Sequence, residues 1–231
     1  MRTPLRFQGK RQIRRQLVTP GVLSTLRPIL QSWLSPRDFS MIWAAFTLAF
    51  FAFLRCSEFT YPSNTSFHSS TDLSTDCIQF YPNLACPQYM TVRIKSSKTD
   101  AFRRGHYLTL ARTFSPICAV MAMRRYFLIT TPPQGPLLRF QSGRHLTRLV
   151  VAQLLRDSAM VAGLPYHSLK GHSFRIGAAS TAAAAGVPDW LIKVLGRWSC
   201  DCYRLYIRTP TSVLHSVAPK MASVTDQFSH V

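Results

Sequence analysis

The run MIWAAFTLAFFAFL, residues 41–54, constrains this chain more than any other stretch. It carries no charge and is apolar on nearly every side, so it has no polar face to turn toward solvent. A membrane span needs about 20 such residues, and here the run meets Arg55 after residue 54. The remaining solution is a helix threaded through a protein core, and the pattern predicts one from about Arg37 to Leu54. Hydrophobic residues make up 47% of the 231-residue chain, enough to wrap such a helix on all sides.

The flanking sequence supplies the wrapping. In TPGVLSTLRPILQSWL, Thr19 is an N-cap candidate and Pro20 suits the first helical position. Val22, Leu26, Ile29, Leu30 and Leu34 recur at helical spacing, with Pro28 expected to start, kink or break that helix. Residues 61–87 are rich in Ser, Thr, Asn and Pro and read as a loop. YMTVRIKSSKTD alternates, with Met90, Val92 and Ile94 on one face and Thr91, Arg93 and Lys95 on the other. With GHYLTLA as the return strand, it predicts an antiparallel hairpin carrying Lys98 at its tip. PICAVMAMRRYFLIT and RLVVAQLLRDSAMVAG read as helices. Further helices are expected over His172–Ala185, over Pro188–Leu195, around residues 200–208 and near residues 211–223. No internal repeat is present. The fold class is mainly α with a small antiparallel sheet.

The charge balance says what such a fold would meet. Lys and Arg number 28 against 9 Asp and Glu, a net charge of +19. A folded chain with that excess calls for a polyanion, and nucleic acid gains affinity by releasing counterions from its phosphates. An anionic membrane surface is the second candidate. Residues 1–18 are arginine-rich and lack the apolar centre of a signal peptide, so they read as a basic arm. The six cysteines, Cys56, Cys77, Cys86, Cys118, Cys200 and Cys202, form no C-x-x-C pair and read mostly as buried free thiols.

The chemistry gathers in four places. GHSFRIGAAS puts His172 and Arg175 on the first turn of a bland helix, where backbone N–H groups also point outward. FLRCSEF ends the apolar run in Arg55, with Glu58 three residues on. Lys98 lies on the hairpin tip. LGRWSCDCYRLYIR, residues 195–208, holds Gly196, Arg197, Trp198, Tyr203 and Tyr206. Arginine forks can bind two phosphate oxygens at once, and two of them can clamp a phosphate in transit. A lysine can protonate a leaving alkoxide, and a tyrosine hydroxyl can hold phosphorus as an ester.

In this order Arg, Lys, His-x-x-Arg, Gly-Arg-Trp and Tyr resemble the tyrosine recombinase (phage integrase) family. The LGRW…YIR form is similar to the recombinases of DIRS-type and Crypton-type transposable elements. The resemblance runs from about residue 19 to 223. It implies a catalytic domain over 19–209, preceded by the arm (1–18) and followed by a tail helix (210–231). Arg55 matches the first arginine and Glu58 its supporting carboxylate. Lys98 matches the hairpin lysine, and His172 and Arg175 the H-x-x-R box. Tyr206 matches the nucleophile, with Tyr203 one turn away. Arg197 stands where the family has His or Trp and Trp198 follows it, so either could fill that place.

The resemblance further implies DNA cutting and rejoining through a 3′-phosphotyrosyl link, without metal or ATP. The implied partner is double-stranded DNA, with self-assembly through the tail helix (Val213, Leu214, Val217) and no membrane. The location would be the nucleus in a eukaryote and otherwise intracellular. The family usually has a second, N-terminal helical domain, which residues 1–18 are too short to form. The alternative expectation is therefore a catalytically inactive DNA-binding relic, or a fragment of a transposable-element recombinase.

Overall fold

Helix α2 (Pro36–Phe51) is the axis of the molecule, and every residue from Phe39 to Phe50 on it is buried. Ser35 caps it by accepting from the Asp38 N–H at 3.2 Å, and Pro36 supplies the first turn. The computed structural model describes residues 16–96, 105–207, 215 and 219. Helices α1 (Pro20–Trp33), α4 (Ala119–Thr130) and α6 (His172–Ala184) pack directly on α2, and α5 (Arg148–Val161) packs on α1. The α2–α6 contact includes Phe46 edge-on to Phe174, ring centroids 5.0 Å apart. Thr19 caps α1 as expected. Pro28 lies within that helix, which continues through it because Leu23, Leu26 and Leu30 are all buried against the core.

Strands β1 (Ile78–Tyr81), β2 (Tyr89–Ile94) and β3 (His106–Ala111) form an antiparallel sheet in the order β1-β2-β3. Val92 pairs with Ile78 on one side and Leu108 on the other. Met90, Val92 and Ile94 are buried, as the alternation requires. β1 lies within the stretch 61–87 that reads as loop. Four residues are too few to show a period, and β1 is held by its pairing with β2.

The apolar run also ends earlier than its hydropathy suggests. α2 stops at Phe51, and the chain turns through Phe53 at φ 51° into a short helix, α3 (Cys56–Phe59). Arg55 is therefore the residue that opens α3, and not the C-terminal residue of the apolar helix. After α6 come α7 (Asp189–Leu195) and a 3-10 helix over Asp201–Tyr206. Lys98, residues 1–15 of the basic arm, and Val213, Leu214 and Val217 of the expected tail helix lie outside the described residues. Gln16 and Val18, inside the stretch assigned to the arm, are docked: Gln16 N–H donates to Ser168 Oγ and Val18 N–H to the Ser173 carbonyl.

Cys56, Cys77 and Cys118 are buried free thiols and Cys86 is an exposed one, whereas Cys200 is disulfide-bonded. Among the described residues no helix is long and apolar enough to cross a membrane.

Candidate active site

The turn after α2 aims a set of carbonyls inward, and two arginines from the C-terminal half of the chain grip them. Arg175, one turn into α6, is 1% exposed. Its Nη1 donates to the Phe53 carbonyl at 2.8 Å, its Nη2 donates to the Gly196 carbonyl, and its guanidinium lies 4.2 Å from the centroid of the Trp198 ring. A buried guanidinium is tolerable only with such acceptors and a ring face to stack on. Arg197 reaches the same turn from the other side, donating through Nη1 to the Ala52 carbonyl at 3.2 Å.

Glu58 ties this framework to Arg55. Its carboxylate is buried and takes three bonds. Oε1 accepts from Arg55 Nη1 at 3.0 Å, and Oε2 accepts from the Arg55 backbone N–H at 2.8 Å and from Arg197 Nη2 at 2.7 Å. The side chains of Glu58 and Arg197 are 2% and 5% exposed, while that of Arg55 is 19% exposed. Burial pushes the Arg197 guanidinium below its ordinary value; Glu58 pulls it back up, and the like charge of Arg55 lowers it. Arg55 is thus the member of the cluster that faces outward, and Arg197 the member locked inside.

The first turn of α6 abuts this cluster. A Cβ on Gly171 would collide with the Cys56 side chain, so the residues flanking His172 and Arg55 are in contact. His172 is half-buried at the first position of the helix. Ser173 locks the turn, its N–H donating to the Lys170 carbonyl at 2.8 Å while its Oγ accepts from the Lys170 N–H at 3.1 Å.

Of the two residues that could fill the His/Trp place, the structure puts Arg197 on Glu58 and Trp198 on Arg175. Trp198 also packs against Tyr203, centroids 5.5 Å apart, and edge-on to Phe53. Tyr203 is 1% exposed. Tyr206 is the last residue of the 3-10 helix, which two exposed ion pairs connect to α7: Lys193–Asp201 at 2.7 Å and Arg204–Asp189 at 3.0 Å. Of the hairpin lysines, Lys95 is occupied. Its Nζ donates to Ser69 O at 2.9 Å and to Ser74 Oγ, and it pairs with Asp76 at 3.4 Å. Lys98 is outside the described residues.

One feature escapes a reading of the sequence. A cleft of about 750 Å³ opens beside Ser57 and Gly171, lined by Arg148 and Arg156 of α5 and by Lys170. The signal was present, since two arginines eight apart share a helix face, but it fades among the other basic residues of the chain. Among the described residues no group of His, Cys, Asp and Glu side chains gathers to hold a metal ion.

This architecture is that of tyrosine recombinase catalytic domains. The chain is similar to the XerH site-specific recombinase bound to palindromic difH substrate, with a TM-score of 0.66 at 13% identity over 90% of this chain and 53% of that one. It is similar to XerA recombinase, with a TM-score of 0.60 at 13% identity over 97% of this chain and 70% of that one. It is also similar to the Tn1549 transposon integrase in complex with transposon right end DNA, with a TM-score of 0.53 at 14% identity over 90% and 66%. The chain thus spans about half the length of the XerH recombinase. At these identities the likeness is one of fold. Neither a family model nor a curated protein matches the sequence.

Proposed function

We propose that this chain is the catalytic domain of a site-specific DNA recombinase or integrase that cuts and rejoins strands through a 3′-phosphotyrosyl intermediate. The observation that carries the reading is the convergence of Arg55, Glu58, Arg175 and Trp198 at the end of α2, beside the half-buried His172.

In this reading the Tyr206 Oη attacks the scissile phosphorus and the P–O5′ bond breaks. The tyrosine proton passes to His172, and the departing 5′ oxygen takes a proton from Lys98. Arg55 and His172 hold non-bridging oxygens from the surface. Arg175 adds its charge from a dry position, where it is felt strongly. The ester conserves the bond energy, so the 5′-hydroxyl of a second strand reverses the attack without ATP. Burial of Tyr203 supports Tyr206 as the nucleophile. Arg148, Arg156 and Lys170 would track the DNA backbone into the site. Self-assembly through residues 211–223, a transposable-element origin of the DIRS or Crypton kind and a nuclear location belong to the same proposal.

Incubation with supercoiled plasmid, quenched with SDS, tests it. Relaxed DNA and protein-linked DNA are expected, and both should vanish in Tyr206→Phe while duplex binding persists. Salt-sensitive binding with no adduct from the unmodified chain would refute strand cleavage by it.

A further inference from the structure

We infer that Arg197 is a positioning residue for Arg55, acting through Glu58: it takes up half of the Glu58 carboxylate, so that Arg55 keeps a fixed guanidinium and a net positive charge to offer a phosphate. The inference rests on the proposed function for what Arg55 does, but the geometry stands apart from it.

A buried carboxylate touching Arg55 alone would cancel the cation a phosphate needs. Here one carboxylate lies between two guanidinium groups, at 3.0 Å from Arg55 and 2.7 Å from Arg197, and the trio keeps one positive charge. The exposures set the direction in which that charge is offered, because Arg197 and Glu58 are almost fully enclosed and Arg55 is the outermost of the three.

Arg197 binds Oε2, the same oxygen that receives the Arg55 backbone N–H, and this leaves Oε1 turned toward the Arg55 side chain. A carboxylate whose Oε2 is held by two donors from different directions has little freedom to turn, so the guanidinium bonded to Oε1 is steadied too. Arg197 is itself pinned, donating to the Ala52 and Leu195 carbonyls at 3.2 and 3.3 Å.

Arg197 adopts φ 54°, an unfavourable conformation for a side-chain-bearing residue. Such a residue persists where the surroundings over-determine it, and here they are Glu58, Ala52 and Leu195. The same turn leads into the 3-10 helix Asp201–Tyr206, so the pair Glu58–Arg197 ties the start of α3 to the segment that carries Tyr206.

Two substitutions of similar length and equal backbone tolerance isolate the charge: Arg197→Lys and Arg197→Met. The readout is the single-turnover rate of Tyr206-dependent adduct formation on supercoiled plasmid, with folding monitored by circular dichroism. Arg197→Met is expected to slow the rate by about thirtyfold or more, and Arg197→Lys, which keeps the charge on Glu58 but not the two-nitrogen fork, to recover at least about threefold of that loss. In a Glu58→Gln background Arg197→Met should add less than about threefold, because both act through one carboxylate. Equal rates for Lys and Met, or losses that multiply in the double variant, would overturn the inference. If the unmodified chain forms no adduct, the functional reading fails and the positioning claim is judged by NMR. The Arg55 Nη1–H signal, assigned by Arg55→Lys and reporting the bond to Glu58 Oε1, should stay slow to exchange in the unmodified chain and in Arg197→Lys and be lost in Arg197→Met. A signal unchanged in Arg197→Met would overturn the claim.

Discussion

Gly196 and Arg197 divide between them a task that a sequence assigns to glycine alone. A glycine just past the end of a helix suggests a left-handed cap, yet Gly196, which follows α7, has an ordinary helical backbone at φ −80° and the left-handed residue is Arg197. Gly196 is required for space: the Trp198 ring folds back over it, where a Cβ would collide with the ring. That ring is fixed by Arg175, Phe53 and Tyr203 and has nowhere to go. Gly196→Ala should therefore destabilise the domain by about 1–3 kcal/mol, measured by urea unfolding, and should weaken the near-ultraviolet dichroism of the Trp198–Tyr203 pair. Wild-type stability would mean that the ring is not held where the structure has it. At this scale the sequence discloses Arg55 with Glu58, which are three apart. It does not disclose Glu58 with Arg197, because 139 residues separate them and only the completed fold brings them together. Spacing from Gly196 favours Tyr206 over Tyr203, and the structure adds that Tyr203 is buried.

Elements with a long or strict pattern are legible in the chain. α2 follows from an uninterrupted apolar run, and β2 from alternation that buries Met90, Val92 and Ile94. Those that escape are α3 and β1, four residues each, which have no period to show and exist because tertiary contacts hold them. The exit from α2 is the consequential case. Hydropathy continues to Leu54, but the chain leaves the helix at Ala52 so that Ala52 and Phe53 present carbonyls to Arg197 and Arg175. The alanine-rich face of α6 suggests close packing, though not what packs there. It is the backbone of Val18, whose N–H bonds to the Ser173 carbonyl at 3.1 Å and whose carbonyl would collide with a Cβ on Gly177. Gly177→Ala should lift this strap, giving faster hydrogen exchange at the Val18 amide with little change at β2. Unchanged protection at Val18 would contradict the packing.

At the scale of the whole molecule a net charge of +19 is informative only with its placement. Arg148, Arg156 and Lys170 line a cleft that runs to Ser57 and Gly171, next to Arg55 and His172. If DNA follows that cleft, replacing the three by Gln should reduce the salt slope of duplex binding by about one for each phosphate no longer neutralised. Fluorescence anisotropy of a labelled duplex at several salt concentrations reads this. An unaltered slope would place the DNA on another face. The proposed strand cleavage is covalent, so its product can be read on the protein itself. The SDS-trapped adduct is digested with nuclease and trypsin, and the tryptic peptides Trp198–Arg204 and Leu205–Arg208 are analysed by tandem mass spectrometry. A nucleoside 3′-phosphate on Tyr206 is the expected result. A nucleotide on Tyr203 or on any other residue, or an adduct that persists in Tyr206→Phe, would rule out Tyr206 as the nucleophile.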